Sequence, residues 1–311
     1  MPMSTSLTAS LSRRSFVALA AGSLASLGLA QVALAADDKK AAEVDLTTED
    51  EPKLIEEGKL IVGSDCDYPP FTYLDGEKAA GFEFEILTAI CDVVGLECEY
   101  HSPLKFDTLC ALVATGGTVD VAVSAITIDP EREDTVDFTD PYFDSNQSVT
   151  VLKDSGYASV DDLEGKNIAV QSGTTGEAWA KENISGATVT AFDEAPAALA
   201  ALQAGKADAV VIDLPVAVEL LESSYDTCEI IEAVPTGEQY GIAVSKENPG
   251  LTELLNIGLK AIQDDGTYQE IYDKYFTVDD EADDKKEEAK KAEADSAKDD
   301  GKKDEKAADK K

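Results

Sequence analysis

The sequence predicts an α/β protein built on largely parallel sheets. Three observations carry that prediction. Short apolar runs of strand length alternate with stretches of helical periodicity. The residues that stand out chemically fall in the segments just after those runs, where open parallel sheets place their ligands. Between two atypical ends lie roughly 225 residues, enough for one large domain or two modest ones.

In chain order, strands are expected at 60–63 (Leu-Ile-Val-Gly), 119–124 (Val-Asp-Val-Ala-Val-Ser), 167–170 (Asn-Ile-Ala-Val), 209–212 (Ala-Val-Val-Ile) and 240–244 (Tyr-Gly-Ile-Ala-Val). Helices are expected at 82–94, 107–114, 175–182, 195–204 and 215–221. A final helical region runs from about 251 to 275 and should break at Asp265-Gly266, since glycine is a poor helix residue.

The first 35 residues read as an export signal. Ser12-Arg13-Arg14-Ser15-Phe16 precedes a mildly apolar Ala/Gly/Leu run that closes on Ala33-Leu34-Ala35, a small-x-small cleavage site. The paired arginines match the twin-arginine signal. An uncleaved anchor over 16–35 is the competing reading, because that length can span a bilayer. No cysteine follows that could take a lipid, so the mature chain is expected in the periplasm or at the outer face of the envelope. Residues 36–52 read as a flexible linker. From Asp279 to Lys311 the chain holds 14 acidic and 10 basic residues, with only Ala, Gly and one Ser besides. Such a segment has too little apolar surface to fold and is expected to be disordered.

The formal net charge is −37. Setting aside the tail (−4) and the signal (+2) leaves −35 on residues 36–278. A body this acidic repels nucleic acid and anionic lipid, both of which need a basic patch. Five cysteines remain. Cys91 and Cys98 flank a segment ending in Gly95-Leu96, a spacing able to turn the chain back, and an exported protein can hold them as a disulfide. Cys66, Cys110 and Cys228 fit no metal spacing, and free buried thiols are the simpler reading. The one histidine, His101, has no evident ligand partners. No metal and no cofactor is expected.

Arg132 is the only arginine after Arg13-Arg14, whereas lysine occurs 23 times. A guanidinium differs from an ammonium in its planar fork, which grips a carboxylate through two parallel hydrogen bonds. The plain alternative is a local ion pair with Glu131 or Glu133. Arg132 sits in the segment after one predicted strand, with Thr127 nearby. After another comes Gln171-Ser-Gly-Thr-Thr-Gly176, where helix-start amides at Thr174 and Thr175 favour an anion. Asp213 follows a third, where it could accept from an ammonium or simply cap the helix that Leu214-Pro215 begins. Tyr68 and Phe106 could wall a side chain or be core, and Asp65 could test its polar tip. Donors for a carboxylate plus one acceptor for an ammonium describe the two ends of a free amino acid.

The chain resembles the bacterial solute-binding proteins of family 3, the polar amino-acid receptors of ABC importers. The resemblance covers roughly 52–278. It rests on Gly63-Ser-Asp65 with Tyr68-Pro-Pro-Phe71, on Gly81-Phe82-Glu83, and on Ile126-Thr-Ile-Asp-Pro-Glu-Arg132. Further matches are Val136-Asp-Phe-Thr-Asp-Pro-Tyr142, Leu163-Glu-Gly-Lys-Asn-Ile-Ala-Val-Gln-Ser-Gly-Thr174, Gln239-Tyr-Gly-Ile-Ala-Val244 and Lys274-Tyr-Phe276. It implies a type II periplasmic-binding-protein fold: two α/β lobes joined by two crossover strands, with a ligand clamped between them. Lobe 1 would be 53–142 plus 241–278, and lobe 2 with its hinges 143–240.

By the same resemblance, Arg132 binds the ligand carboxylate, helped by Thr127 and by backbone at Ala125 and Thr175. Asp213 binds the α-ammonium, Tyr68 and Phe106 form aromatic walls, and Asp65 and Gln171 lie near the side chain. Cys91 and Cys98 sit where histidine-binding relatives have a disulfide. The partners implied are a free amino acid and the membrane subunits of an ABC importer, with the receptor itself a monomer. Asp65 and Asp67 in so acidic a body argue against Glu or Asp as ligand and for a polar neutral or basic amino acid. Ala125 departs from the glycine common at its position. Two other readings stand beside this one: a cyclohexadienyl-dehydratase-like enzyme on the same fold, using Asp65 or Asp67 as acid, and a binding module that feeds a sensor.

Overall fold

The computed structural model describes residues 44–277. The expected signal (1–35), the linker up to residue 43 and the charged tail (279–311) lie outside the described residues. Described residues up to Tyr275 belong to one compact unit, and Phe276 and Thr277 begin a second.

Two five-stranded sheets organise the fold. In the first, β1 (Lys59–Gly63) lies parallel to both β5 (Glu97–His101) and β6 (Val121–Ala122). The second has β9 (Asn167–Gln171) parallel to β10 (Thr188–Phe192) and β11 (Ala209–Asp213). Helices α1 (Phe82–Val94) and α2 (Leu109–Thr115) belong to the first half; α4 (Thr175–Asn183), α5 (Ala195–Gln203) and α6 (Leu214–Ser223) belong to the second. A short helix α3 (Pro130–Glu133) follows β6.

The sheets are not purely parallel. Strand β8 (Phe143–Leu152) pairs antiparallel with β11, and β12 (Cys228–Tyr240) antiparallel with β8. After β12 the chain returns to the first sheet, where β13 (Ala243–Val244) pairs antiparallel with β6 and β7 (Asp137–Phe138). Strands β8 and β13 arrive from the opposite lobe without the long crossover that parallel neighbours need, whereas β12 follows α6 and runs back beside β8. A small hairpin sheet, β2 (Asp67–Tyr68), β3 (Thr72–Asp75) and β4 (Lys78–Ala80), follows β1.

Two expected elements change. The strand over 119–124 shrinks to β6, because Val123 onward leaves the ladder to form the loop that carries Thr127. The strand over 240–244 breaks at Gly241-Ile242 into the end of β12 and the start of β13. The terminal helix divides, as expected, into α7 (Pro249–Asp264) and α8 (Thr267–Phe276), with Gly266 at φ 90° between them.

Each lobe has its own apolar core, with Ile61, Leu109 and Ile126 in the first and Val149, Ile168 and Val211 in the second. Aromatic rings pin the two strands at the point where they cross between lobes. Phe143 of β8 stacks on Tyr240 of β12 at 5.7 Å and 14°, and Phe71 meets both edge-on at 4.8 and 5.2 Å. Edge-to-face and offset ring pairs add roughly 0.5–1.5 kcal/mol each beyond area burial. The crossing is therefore a stiff pivot. The Cys91–Cys98 disulfide is formed, joining α1 to β5. Of the free thiols, Cys66 and Cys228 are buried and Cys110 is half-buried.

Candidate functional site

The loops after β1, β6, β9 and β11 converge near the crossing strands, and each is held by bonds that its local sequence sets up. In the loop after β6, Asp129 caps α3 by accepting from the amides of Glu131 (2.9 Å) and Arg132 (3.2 Å), with Pro130 in the first turn. That turn aims Arg132 at the cleft. Its Nε pairs with Asp129 at 3.2 Å, rather than with Glu131 or Glu133. Nη1 donates to the Thr127 carbonyl at 2.8 Å, and Nη2 donates across the cleft to the Gly173 carbonyl at 3.0 Å. The guanidinium carbon lies 5.4 Å from the centroid of the Phe106 ring, a cation–π contact.

Ala125 adopts φ +49°, a left-handed backbone where a non-glycine residue is strained. Its amide donates to Glu83 Oε1 at 2.8 Å, and the Tyr142 hydroxyl donates to the same oxygen. Glu83 is fully buried, and burial pushes its carboxyl up to about 8. At neutral pH it is mostly a neutral acid that fastens the loop. Cys66, at φ +59°, is the other strained residue, in the loop after β1. Beside it, Asp65 is held by Ser124, whose hydroxyl donates at 2.8 Å, and by Gln171 Nε2 at 3.1 Å from the other lobe. Burial raises its carboxyl above the usual range. Asp67 is pushed up to about 6, by burial first and then by the charges of Asp65 and Glu194.

On the second lobe, Thr174 caps α4 by accepting from the Glu177 amide at 3.1 Å. Asp213 stands at the N-cap position of α6, yet its side chain makes no capping bond. Its carboxylate turns instead to the crossing strands. Gln147 of β8 donates to Oδ1 at 2.6 Å, and the Tyr240 hydroxyl donates to Oδ2. Burial, and next the charge of Glu238, push Asp213 up to about 7. Tyr68 is buried, and burial followed by the Asp213 charge holds its phenol well above the ordinary value.

Glu238 is the residue that sequence reasoning missed. It projects from β12 just past an irregularity, where Val234 opposes Gln147 and Glu238 opposes Ser145, so β12 carries two extra residues. Its Oε2 accepts from Thr127 Oγ1 and Thr175 Oγ1, each at 3.1 Å, one from each lobe. Gln147 Nε2 donates to both Glu238 oxygens, at 3.2 and 3.0 Å. Glu238 directly precedes the motif Gln239-Tyr-Gly, so the signal was present, but nothing local told which side chain would turn inward.

Eight of the nine expected ligand-site residues lie on or beside these loops, Phe106 opens the short 3-10 turn after β5, and side chains bridge the lobes between them. Arg132 reaches Gly173, Gln171 reaches Asp65, and Lys105 pairs with Asp193 at 2.6 Å. Gly173, at φ +74°, allows the close approach: a Cβ there would lie 2.9 Å from Asp107 Cβ. Outside this meeting line a cleft of about 600 Å³ opens, flanked by Phe106, Arg132, Thr175 and Lys181. Among the described residues no group of three or more His, Cys, Asp or Glu could hold a metal ion.

Two α/β lobes on a double-strand pivot, with fixed polar groups from both lobes meeting between them, define a two-lobed binding protein of the type II periplasmic architecture. The chain belongs to the bacterial extracellular solute-binding proteins, family 3, whose pattern matches residues 60–278. It is 32% identical over 230 residues to the L-cystine-binding protein TcyJ of Escherichia coli (strain K12), covering 73% of this chain and 86% of that one. Among solved structures, an ancestral arginine-binding protein bound to arginine is 37% identical with a TM-score of 0.67, covering 71% of this chain and 99% of the other. An ancestral amino acid-binding protein described as a precursor of cyclohexadienyl dehydratase is 35% identical with a TM-score of 0.65, covering 71% and 96%.

Proposed function

We propose that this protein is an extracytoplasmic receptor that binds a free amino acid, basic or polar neutral, between its lobes and delivers it to an ABC importer. In this reading the twin-arginine signal exports it, it acts as a monomer, and it catalyses no reaction. The lobes are 53–142 with 241–278, and 143–240. Arg132, Thr127, Thr175 and the backbone at Ala125 take the ligand carboxylate. Asp213 takes the α-ammonium, while Tyr68, Phe106, Asp65 and Gln171 surround the side chain.

One observation carries the reading. Asp213 occupies a helix-cap position without capping, and its buried carboxylate turns to the crossing strands, where Gln147 and Tyr240 donate to it. Both donors are neutral, so burial of this carboxylate stays costly, and an ammonium partner offsets that cost. The relatives named for arginine and cystine support an amino acid as ligand. Two aspartates so close together, Asp65 and Asp67, disfavour an acidic side chain beside them by like charge.

Thermal unfolding of the mature chain against the common amino acids tests this directly. A ligand at about 100 times its Kd adds about 2.7 kcal/mol of stability. A clear shift with one basic or polar class, absent in Arg132→Lys, supports the receptor. No shift with any amino acid, together with turnover of prephenate or arogenate, would establish the enzyme instead.

A further inference from the structure

Around Gln147 the acceptors outnumber the donors. Its side-chain amide has two N–H groups, and Nε2 is within bonding distance of four oxygens: Thr175 Oγ1 (3.2 Å), Asp213 Oδ1 (2.6 Å) and both oxygens of Glu238 (3.2 and 3.0 Å). The amide's own oxygen, Oε1, is buried without a hydrogen-bond partner, and Gln147 itself is 0% exposed. Two carboxylates thus compete for one amide, and the other donors that reach them, the hydroxyls of Tyr240, Thr127 and Thr175, are neutral as well. None of the ion pairs among the described residues reaches either of them; the nearby guanidinium of Arg132 is paired with Asp129. A carboxylate withdrawn from water, as Asp213 is, is normally matched by a positive charge, and the half-buried Glu238 beside it adds a second negative charge.

We propose that Glu238 is a second carboxylate anchor for the ligand's α-ammonium, facing Asp213 across the Gln147 amide; this rests on the amino-acid-receptor reading above. An ammonium brings three N–H donors and a full positive charge, which supplies what this cluster lacks. Its position on β12, at the pivot, gives Glu238 a second consequence. The hydroxyls of Thr127 and Thr175 approach Glu238 from opposite lobes, so the anchor is complete only when the lobes have met. The ammonium is then read by residues from lobe 2 and from the pivot strand, while the carboxylate is read chiefly from lobe 1, with Thr175 of lobe 2. The receptor would reject ligands lacking an α-amino group more strongly than one carboxylate could achieve.

The test compares affinities by calorimetry for wild type, Glu238→Gln and Glu238→Asp. The probes are L-arginine and L-cystine, each set against its analogue lacking the α-amino groups. The expected result is a drop of about tenfold or more for the parent amino acid in Glu238→Gln, with the analogue little changed, so that discrimination between the two collapses. Glu238→Asp, a shortened carboxylate, should give an intermediate loss, and it keeps the test readable if the amide variant fails to fold. Melting of each ligand-free variant checks folding. Equal losses for parent and analogue would overturn the proposal, leaving Glu238 as a support for the threonine hydroxyls. Unchanged or tighter binding of the parent would also overturn it, since Glu238 would then be standing where the ligand carboxylate goes. A wild type that binds neither amino acid nor any other would remove the receptor reading itself, and the proposal with it.

Discussion

Arg132 donates through Nη2 to the carbonyl of Gly173 at 3.0 Å, across the line where the two lobes meet. The same guanidinium serves Thr127 and Asp129 within its own lobe. A planar fork can satisfy three acceptors in different directions while keeping an edge toward a ligand, whereas an ammonium is a point charge on a flexible stem.

Arg132→Lys is therefore expected to lose both grips. Ligand affinity should fall by at least tenfold, and the ligand-free protein should lose on the order of 1 kcal/mol from the broken hydrogen bonds. Calorimetry and urea unfolding read the two effects separately. Full affinity in the lysine variant would mean that the fork plays no part in binding.

Gly173→Ala tests lobe closure. The position needs φ +74°, and the new Cβ would come within 2.9 Å of Asp107 Cβ. The strain costs roughly 1–2 kcal/mol, and most of it falls on the closed arrangement. Affinity should drop by about tenfold while each lobe keeps its fold, and small-angle scattering with ligand present should show a more open molecule.

The buried acid Glu83 gives a pH signature of stability. Its carboxyl rises from 4.5 to about 8 on folding, so between those values the native state holds a proton that the unfolded chain has lost. Stability from this group is full below 4.5 and is lost as pH rises through 8. Urea unfolding across that range should show a decline that Glu83→Gln flattens. Glu83→Ala, which orphans the Tyr142 hydroxyl and the Ala125 amide, should cost about 2–3 kcal/mol.

Binding should carry the opposite sign through Asp213. Its carboxyl stands at about 7 without ligand, and an ammonium favours the ionised form. Below that value binding must first release a proton, so affinity should weaken by up to about tenfold per pH unit as pH falls. Calorimetry in buffers of differing ionisation heat should detect that release near pH 6. Its absence would place the ammonium elsewhere.

The sequence by itself determined the α/β alternation, the loops that carry chemistry, and the residues Arg132, Thr127, Thr175 and Asp213. Those signals are local: periodicity, helix starts, and one arginine in a chain of lysines. It also marked Glu83 and Tyr240 within motifs, but without roles, because their partners lie far along the chain. Ala125 is 42 residues from Glu83, and Ser145 is 95 from Tyr240. Strand β12 escaped as a strand because its pattern mixes half-buried and exposed residues with little apolar alternation, so its pairing with β8 supplies what its sequence does not.

Only the tertiary structure decided that Asp213 turns to Gln147 and Tyr240 instead of capping its helix, and which acid of β12 meets the two threonines. Glu238 meets Thr127 from 111 residues away and Gln147 from 91. Contacts at that range depend on the two extra residues in β12 and on the stacked Phe143–Tyr240 pivot, and a local pattern holds no record of either.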